Sequence, residues 1–286
     1  MVAMDNLAYT EIRTRPLSAA LGVEISGVDL GQVSETALRE IDDAYRRYSV
    51  IFFRDQDLTP EQHIAFAERW GTININRFFQ PLDGYPMIAQ VLKEADQADN
   101  IGGDWHTDHS YDQIPAMGSI LYAREVPETG GDTLFSSMYR AYESLSEGMK
   151  STLESLQAWH SSRHVFGASI AESEYTKDGR IANADKATQD ALHPVVITHP
   201  LSGRKALYVN SDFTVRFDGW TAEESAPLLA FLYAHGARHE FTCRFQWRPG
   251  SVAFWDNRAT WHYAMNDYHG SRRLMHRITL EGVALS

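Results

Sequence analysis

Alternating apolar and polar residues mark 22–30 (GVEISGVDL) as a strand, and the short apolar run Val50-Ile51-Phe52-Phe53 as another. The segment between them predicts a helix over 35–47. A second helix opens at Thr59, with Pro60 at its first helical position and Gln62 placed to complete a capping box; it ends at Gly71. Residues 137–157 carry helical spacing broken at Leu145-Ser146, where Ser146 can cap a further helix. PVVITH (194–199) and RKALYV (204–209) are β-rich runs joined by Pro-Leu-Ser-Gly, the composition of a hairpin turn. Thr221 opens a helix over 222–234, and SVAFWDN (251–257) and RRLMHRITLEG (272–282) predict two last strands. Many short strands with helices outside them predict an α+β fold with a mainly β core, a double-stranded β-helix (jelly-roll) barrel with flanking helices. A doubly wound sheet would instead alternate strand and helix throughout. The length suits one domain spanning 1–286.

Composition narrows the partners. A net charge of −12 argues against nucleic acid or an anionic membrane, both of which need a basic surface. It also repels small anions at long range, so any anion site needs its own arginines. The single cysteine, Cys243, excludes an internal disulfide framework and suits a cytoplasmic location. Residues 1–15 hold no apolar run, and nowhere do about 18 apolar residues follow one another, so neither secretion nor membrane spanning is expected.

In Trp105-His106-Thr107-Asp108, a histidine and a carboxylate stand two apart, and in an extended chain such residues share a face. Two histidines and one carboxylate on one side of an ion is the donor set of non-haem iron(II) oxygenases, so a third ligand is required from elsewhere. By the same alternation His109 should point away from the metal, as a surface or supporting group. On the last strand Arg273, Met275, Arg277 and Thr279 share a face. Two arginines four residues apart stand about 13 Å apart along a strand, too far to grip one small carboxylate but suited to two anions.

WHTD at 105–108, GGDT at 130–133, WDNRATWHYAMNDY at 255–268 and RRLMHR at 272–277 together resemble the taurine and phenoxyalkanoate dioxygenase family, over roughly 15–282. The resemblance implies iron(II) held by His106, Asp108 and His262, with 2-oxoglutarate and O2 as co-substrates. It implies that Arg273 pairs with the far carboxylate of 2-oxoglutarate, with Thr133 as hydroxyl partner, and that Arg277 contacts an acidic group on the primary substrate. Where the taurine enzyme has a histidine and a tyrosine, this chain has Asn76 and Phe79, which puts taurine itself in doubt. HSSRHVFG and HPVVITHPLSGRKALYVN are closer to the phenoxypropionate branch.

The implied activity is hydroxylation of a small anionic sulfonate, alkyl sulfate or aryloxyalkanoate, with 2-oxoglutarate decarboxylated to succinate and C–S or C–O cleavage where the hydroxylated carbon bears a leaving group. The resemblance also implies a homodimer or homotetramer. Plainer alternatives stand beside these roles. Arg277 also reads as a buried ion pair, Asn76 as a loop cap, Phe79 as core, Arg258 and Arg272 as salt-bridging, and Trp255 as either core or pocket wall. His160, His164, His193 and His199 read as ordinary. Two rival functions remain: a zinc hydrolase, whose H-x-H-x-D-H pattern this chain breaks with Asp104, and a non-catalytic cupin-like binding protein.

Overall fold

Ser34 starts the first helix, Glu35–Tyr48, by accepting a hydrogen bond from the Ala37 N–H at 3.0 Å, and Ser49 ends it in the left-handed region. Its buried residues Ala37, Ile41, Ala44 and Tyr45 recur at helical spacing and press on one face of a large sheet. These are features of a computed structural model that describes residues 9–167 and 178–286. Residues 1–8, part of the stretch read above as lacking an apolar run, and 168–177 lie outside the described residues.

Among the described residues the large sheet has nine strands. Its order is Arg13–Pro16, Val23–Ser26, Val50–Phe53, Val252–Asp256, Gly118–Glu125, Arg273–Leu280, Tyr85–Lys93 and Pro81–Leu82, with Ile73–Asn74 also pairing with Arg273–Leu280. Val50–Phe53 is buried on both sides, which explains why it reads as an apolar run rather than an alternation. Ile51, Phe53, Val252, Phe254, Ile120 and Ile278 face Glu35–Tyr48 and the second helix, Pro60–Glu68. Val50, Phe52, Ala253, Trp255, Leu121 and Met275 face the opposite way.

There they meet a second sheet, Thr242–Phe245, Thr133–Ser137 and Thr260–Ala264, through Phe135, Cys243 and Phe245. Phe52 stacks on Phe245 with ring centres 4.1 Å apart. The helices Met138–Glu143, Glu147–Leu153 and Ala222–Gly236 supply a further apolar cluster that includes Trp261. The described residues therefore form a strand-rich α+β fold of two facing sheets with helices outside them, and no ladder among them closes the sheets into a barrel.

Local signals set most helix ends. The Thr59–Gln62 capping box is formed, although the helix stops at Glu68 rather than reaching Gly71. Ser137 and Ser146 each cap one of the two helices predicted over 137–157, and Gln157 already begins the strand Gln157–Ser161. The hairpin pairs Val196–Thr198 with Lys205–Leu207, and Thr221 caps Ala222–Gly236 with Glu224 as box partner. Among the described residues no helix is long and apolar enough to cross a membrane.

Candidate metal and anion site

His106 and His262 pair as an antiparallel bridge next to the small sheet. The His106 N–H donates to the His262 carbonyl at 3.1 Å and the reverse bond is 2.8 Å, which sets the two rings 4.0 Å apart. Thr107 turns the other way and donates its hydroxyl to the Asn257 carbonyl, so Asp108 returns to the side of His106, as the spacing predicts. His106 Nε2 and His262 Nε2 each lie 3.9 Å from a different oxygen of Asp108. The three donor atoms fall within 4.8 Å of one another, and all three residues are buried.

The surroundings prepare these donors. A backbone carbonyl can only accept, so His106 Nδ1, 2.8 Å from the Asp104 carbonyl, carries the proton and leaves the Nε2 lone pair free. Burial, then the neighbouring His106, pushes His262 far below the ordinary histidine pKa, which keeps its imidazole neutral and able to ligate. Burial opposes ionisation of Asp108, but the Arg277 guanidinium outweighs it and holds the carboxyl well below its usual range. Ser119 Oγ donates to one Asp108 oxygen at 2.9 Å and Arg277 Nη2 lies 3.0 Å from the other. Two imidazoles and one carboxylate whose donor atoms lie close together fit a divalent iron ion with open positions opposite.

Beside this cluster runs a cavity of about 470 Å³, lined by His106, Asp108, His262, Thr133, Arg273 and Arg277, among others. Arg273 is buried, and its Nε and Nη2 have no hydrogen-bond partner among the described residues. Burial lowers its pKa from the ordinary guanidinium value, with Tyr268 and Asp132 opposing. Trp247 lies under the guanidinium, 5.8 Å from ring centre to Cζ, and donates its Nε1–H to Thr133 Oγ1 at 2.9 Å. The Thr133 oxygen is thus occupied as an acceptor, and its own hydrogen is free for an anion. A buried cation without a partner is costly, so this end of the cavity fits a carboxylate.

Arg277 lies on the same inner strand face as Arg273. It makes the buried ion pair weighed above, with Asp108, while its Nε stays without a partner among the described residues. Asn76 lines the cavity, and its Oδ1 accepts from the Phe78 and Phe79 N–H groups at 2.9 Å each, the loop-capping role weighed for it. Phe79 also lines the cavity, belongs to an apolar cluster with Phe78, Tyr111, Phe166 and Phe213, and faces the Arg277 guanidinium at 5.6 Å. Trp255 is both core and wall.

His109 overturns the alternation argument. Its backbone is left-handed (φ 58), so the chain is not extended there; the ring is 2% exposed and lines the same cavity as Asp108. Arg258 pairs with Asp256, which also holds His199, and Arg272 pairs with Glu94 and Glu125, as expected of structural ions. His160 and His193 bond to Ser110 and to the Asp112 carbonyl. Sequence reasoning missed Ser119 and Trp247, which orient Asp108 and Thr133, and also Asp212, whose Oδ2 lies 3.6 Å from His106 Nδ1. Each sits on a distant segment, with no local pattern tying it to the residue it supports. The hydrolase pattern fails at residue 104, because Asp104 is exposed and offers His106 only its backbone.

The described residues thus gather two histidines and a carboxylate that could hold one metal ion, beside a buried arginine whose Nε and Nη2 have no hydrogen-bond partner among them. The chain belongs to the family described as "Taurine catabolism dioxygenase TauD, TfdA family", whose model matches residues 13–279. It is 35% identical to an alkylsulfatase of Acinetobacter baylyi, over 95% of this chain and 86% of that protein. It is 34% identical to an alpha-ketoglutarate-dependent sulfate ester dioxygenase of Pseudomonas putida, over 95% and 90%. Among solved structures it is similar to a taurine dioxygenase from Burkholderia xenovorans, with a TM-score of 0.82, 34% identity, and 96% and 93% of the two chains covered.

Proposed function

We propose that this chain is an iron(II)- and 2-oxoglutarate-dependent dioxygenase that hydroxylates a small anionic organic substrate, with sulfate esters as the first class to test, then sulfonates and aryloxyalkanoates. The observation that carries this reading is the pairing of the His106–Asp108–His262 donor set with the unpaired, buried guanidinium of Arg273 in one cavity. Iron(II) with 2-oxoglutarate and O2 would supply the oxidation, converting 2-oxoglutarate to succinate and CO2.

In this reading His106, Asp108 and His262 hold the metal. Arg273 and Thr133 fix the distal carboxylate of 2-oxoglutarate, and Arg277 draws in the acid group of the primary substrate. Phe79 and its aromatic neighbours cover the substrate's apolar body and exclude water, and Asn76 keeps their loop in shape. Hydroxylation at a carbon bearing a sulfate ester oxygen gives a product that collapses to an aldehyde and hydrogen sulfate. We read the facing sheets as a jelly roll within a single domain, on the likeness to solved relatives.

The test is to load anaerobic protein with iron(II) and 2-oxoglutarate, record the weak visible charge-transfer band of the chelate, then admit O2 with alkyl sulfates, sulfonates and aryloxyalkanoates while assaying succinate. The band, followed by succinate stimulated by one class, is the expected result. Metal-loaded, folded protein that gives neither band nor succinate would overturn the reading.

A further inference from the structure

Arg277 is assigned the acid group of the substrate, yet it already holds an anion. In the large sheet it stands opposite Leu121, and Ser119 lies two residues along that neighbouring strand, on the same face. From these fixed positions the two side chains divide the Asp108 carboxylate between them. Ser119 Oγ donates to Oδ2 at 2.9 Å, and Arg277 Nη2 lies 3.0 Å from Oδ1. Asp108 is the one ion-pair partner of Arg277 among the described residues, and a guanidinium has more N–H donors than that contact uses. Arg277 also lines the cavity, as does Phe79, whose ring centre is 5.6 Å from the Arg277 Cζ. One buried cation therefore serves both a carboxylate of the donor set and the cavity where an anion would bind.

A cation shared by two anions couples them. An anion that arrives from the cavity draws on the charge of Arg277 and weakens its pull on Asp108, whose electron pairs then become more available to a metal. In the other direction, a metal that takes charge from Asp108 leaves Arg277 a stronger attractant for the anion. In a site this buried such effects are little screened. We propose that Arg277 links the metal to the primary substrate, so that each binds more tightly when the other is present. This rests on the reading of Arg277 as the receptor for the substrate's acid group. Direct attraction would not give the same result, because a divalent ion with one carboxylate and a dianionic co-substrate carries a net negative charge and repels a further anion. Towards the metal, Arg277 acts through Asp108 and is a positioning residue.

The experiment first uses calorimetry to find which of hexyl sulfate, hexanesulfonate and phenoxyacetate binds the anaerobic protein holding iron(II) and 2-oxoglutarate. Iron(II) affinity is then measured by competition with a chelating dye, at one 2-oxoglutarate concentration, with and without a saturating amount of that acid. In the native protein the acid should raise iron(II) affinity about tenfold, and by linkage iron(II) should raise the affinity for the acid by the same factor. Arg277→Lys keeps the charge but replaces the planar fork with one compact ammonium that cannot span two anions, so the coupling should fall below about threefold while the acid still binds. Arg277→Met, saturated with acid at a higher concentration, should show no coupling. An acid that binds the native protein but changes its iron(II) affinity by less than about threefold would overturn the inference without recourse to any variant. So would a coupling that persists undiminished in Arg277→Lys. Failure to bind any of the acids would overturn the functional reading together with it.

Discussion

Replacing Arg273 by methionine should make the protein bind 2-oxoglutarate far worse and, without co-substrate, melt at a higher temperature. Both effects come from one geometry. Nε and Nη2 of Arg273 are buried and have no partner among the described residues, so a carboxylate in the cavity gains two charge-assisted hydrogen bonds. At about 1.5–3 kcal/mol each, less the cost of stripping water from the carboxylate, they contribute about 3–4 kcal/mol, or two to three orders of magnitude in Kd. With no anion present the same guanidinium is a stranded charge, and burial already lowers its pKa. An apolar side chain of similar length removes that penalty. Replacement of buried ionic groups by packed apolar ones stabilises by about 1–4 kcal/mol, so a gain near 2 kcal/mol, or about 3–4 °C, is expected in a chain of this size. Calorimetric titration of 2-oxoglutarate into anaerobic iron-loaded protein reads the first effect, and scanning calorimetry of ligand-free protein reads the second. A variant that binds 2-oxoglutarate within threefold of the native protein, or that melts lower, would refute the assignment of Arg273 as an anion receptor.

Three further predictions follow from neighbouring contacts. Arg277→Met should weaken binding of the primary substrate by at least about tenfold while changing the 2-oxoglutarate Kd by less than about threefold; equal losses on both would mean that Arg277 serves only to hold Asp108. Ser119→Ala removes the 2.9 Å hydrogen bond to Asp108 and should lower iron(II) affinity about tenfold in competition with a chelating dye, with little change in melting temperature. His63 is buried with both ring nitrogens unpartnered among the described residues, and burial, aided by His276 and Arg124, lowers its pKa from 6.5 to about 3. A histidine that is neutral when folded takes up a proton more readily when unfolded, so its contribution to stability is present above pH 6.5 and is lost as pH falls towards 3. His63→Leu should flatten the fall in unfolding free energy between pH 6 and 4 by up to about 1.4 kcal/mol per pH unit, and an unchanged slope in urea titrations would contradict it.

The chain alone determined features whose causes lie within one turn or one strand. The Thr59–Gln62 box and the Thr221 and Ser146 caps were legible because a cap needs only a side chain and an N–H two or three residues away. The inner face shared by Arg273 and Arg277 was legible because side chains alternate along a strand, and the common side of His106 and Asp108 for the same reason. The family motifs then pointed to His262, Thr133, Asn76 and Phe79 without saying what they touch. Gly118–Glu125 was not legible, because six of its eight residues are buried and leave no alternation to read. Nor was His109, since a left-handed backbone at a residue other than glycine is imposed by its surroundings, here the grip of Asp112 and Arg77. Only the tertiary structure set the His106–His262 bridge, the Ser119 and Arg277 contacts to Asp108, and the solitary guanidinium of Arg273. Sequence names donors and acceptors, but whether a buried one has a partner depends on segments far along the chain. In this protein that dependence leaves Arg273 Nε and Nη2 without a hydrogen-bond partner among the described residues.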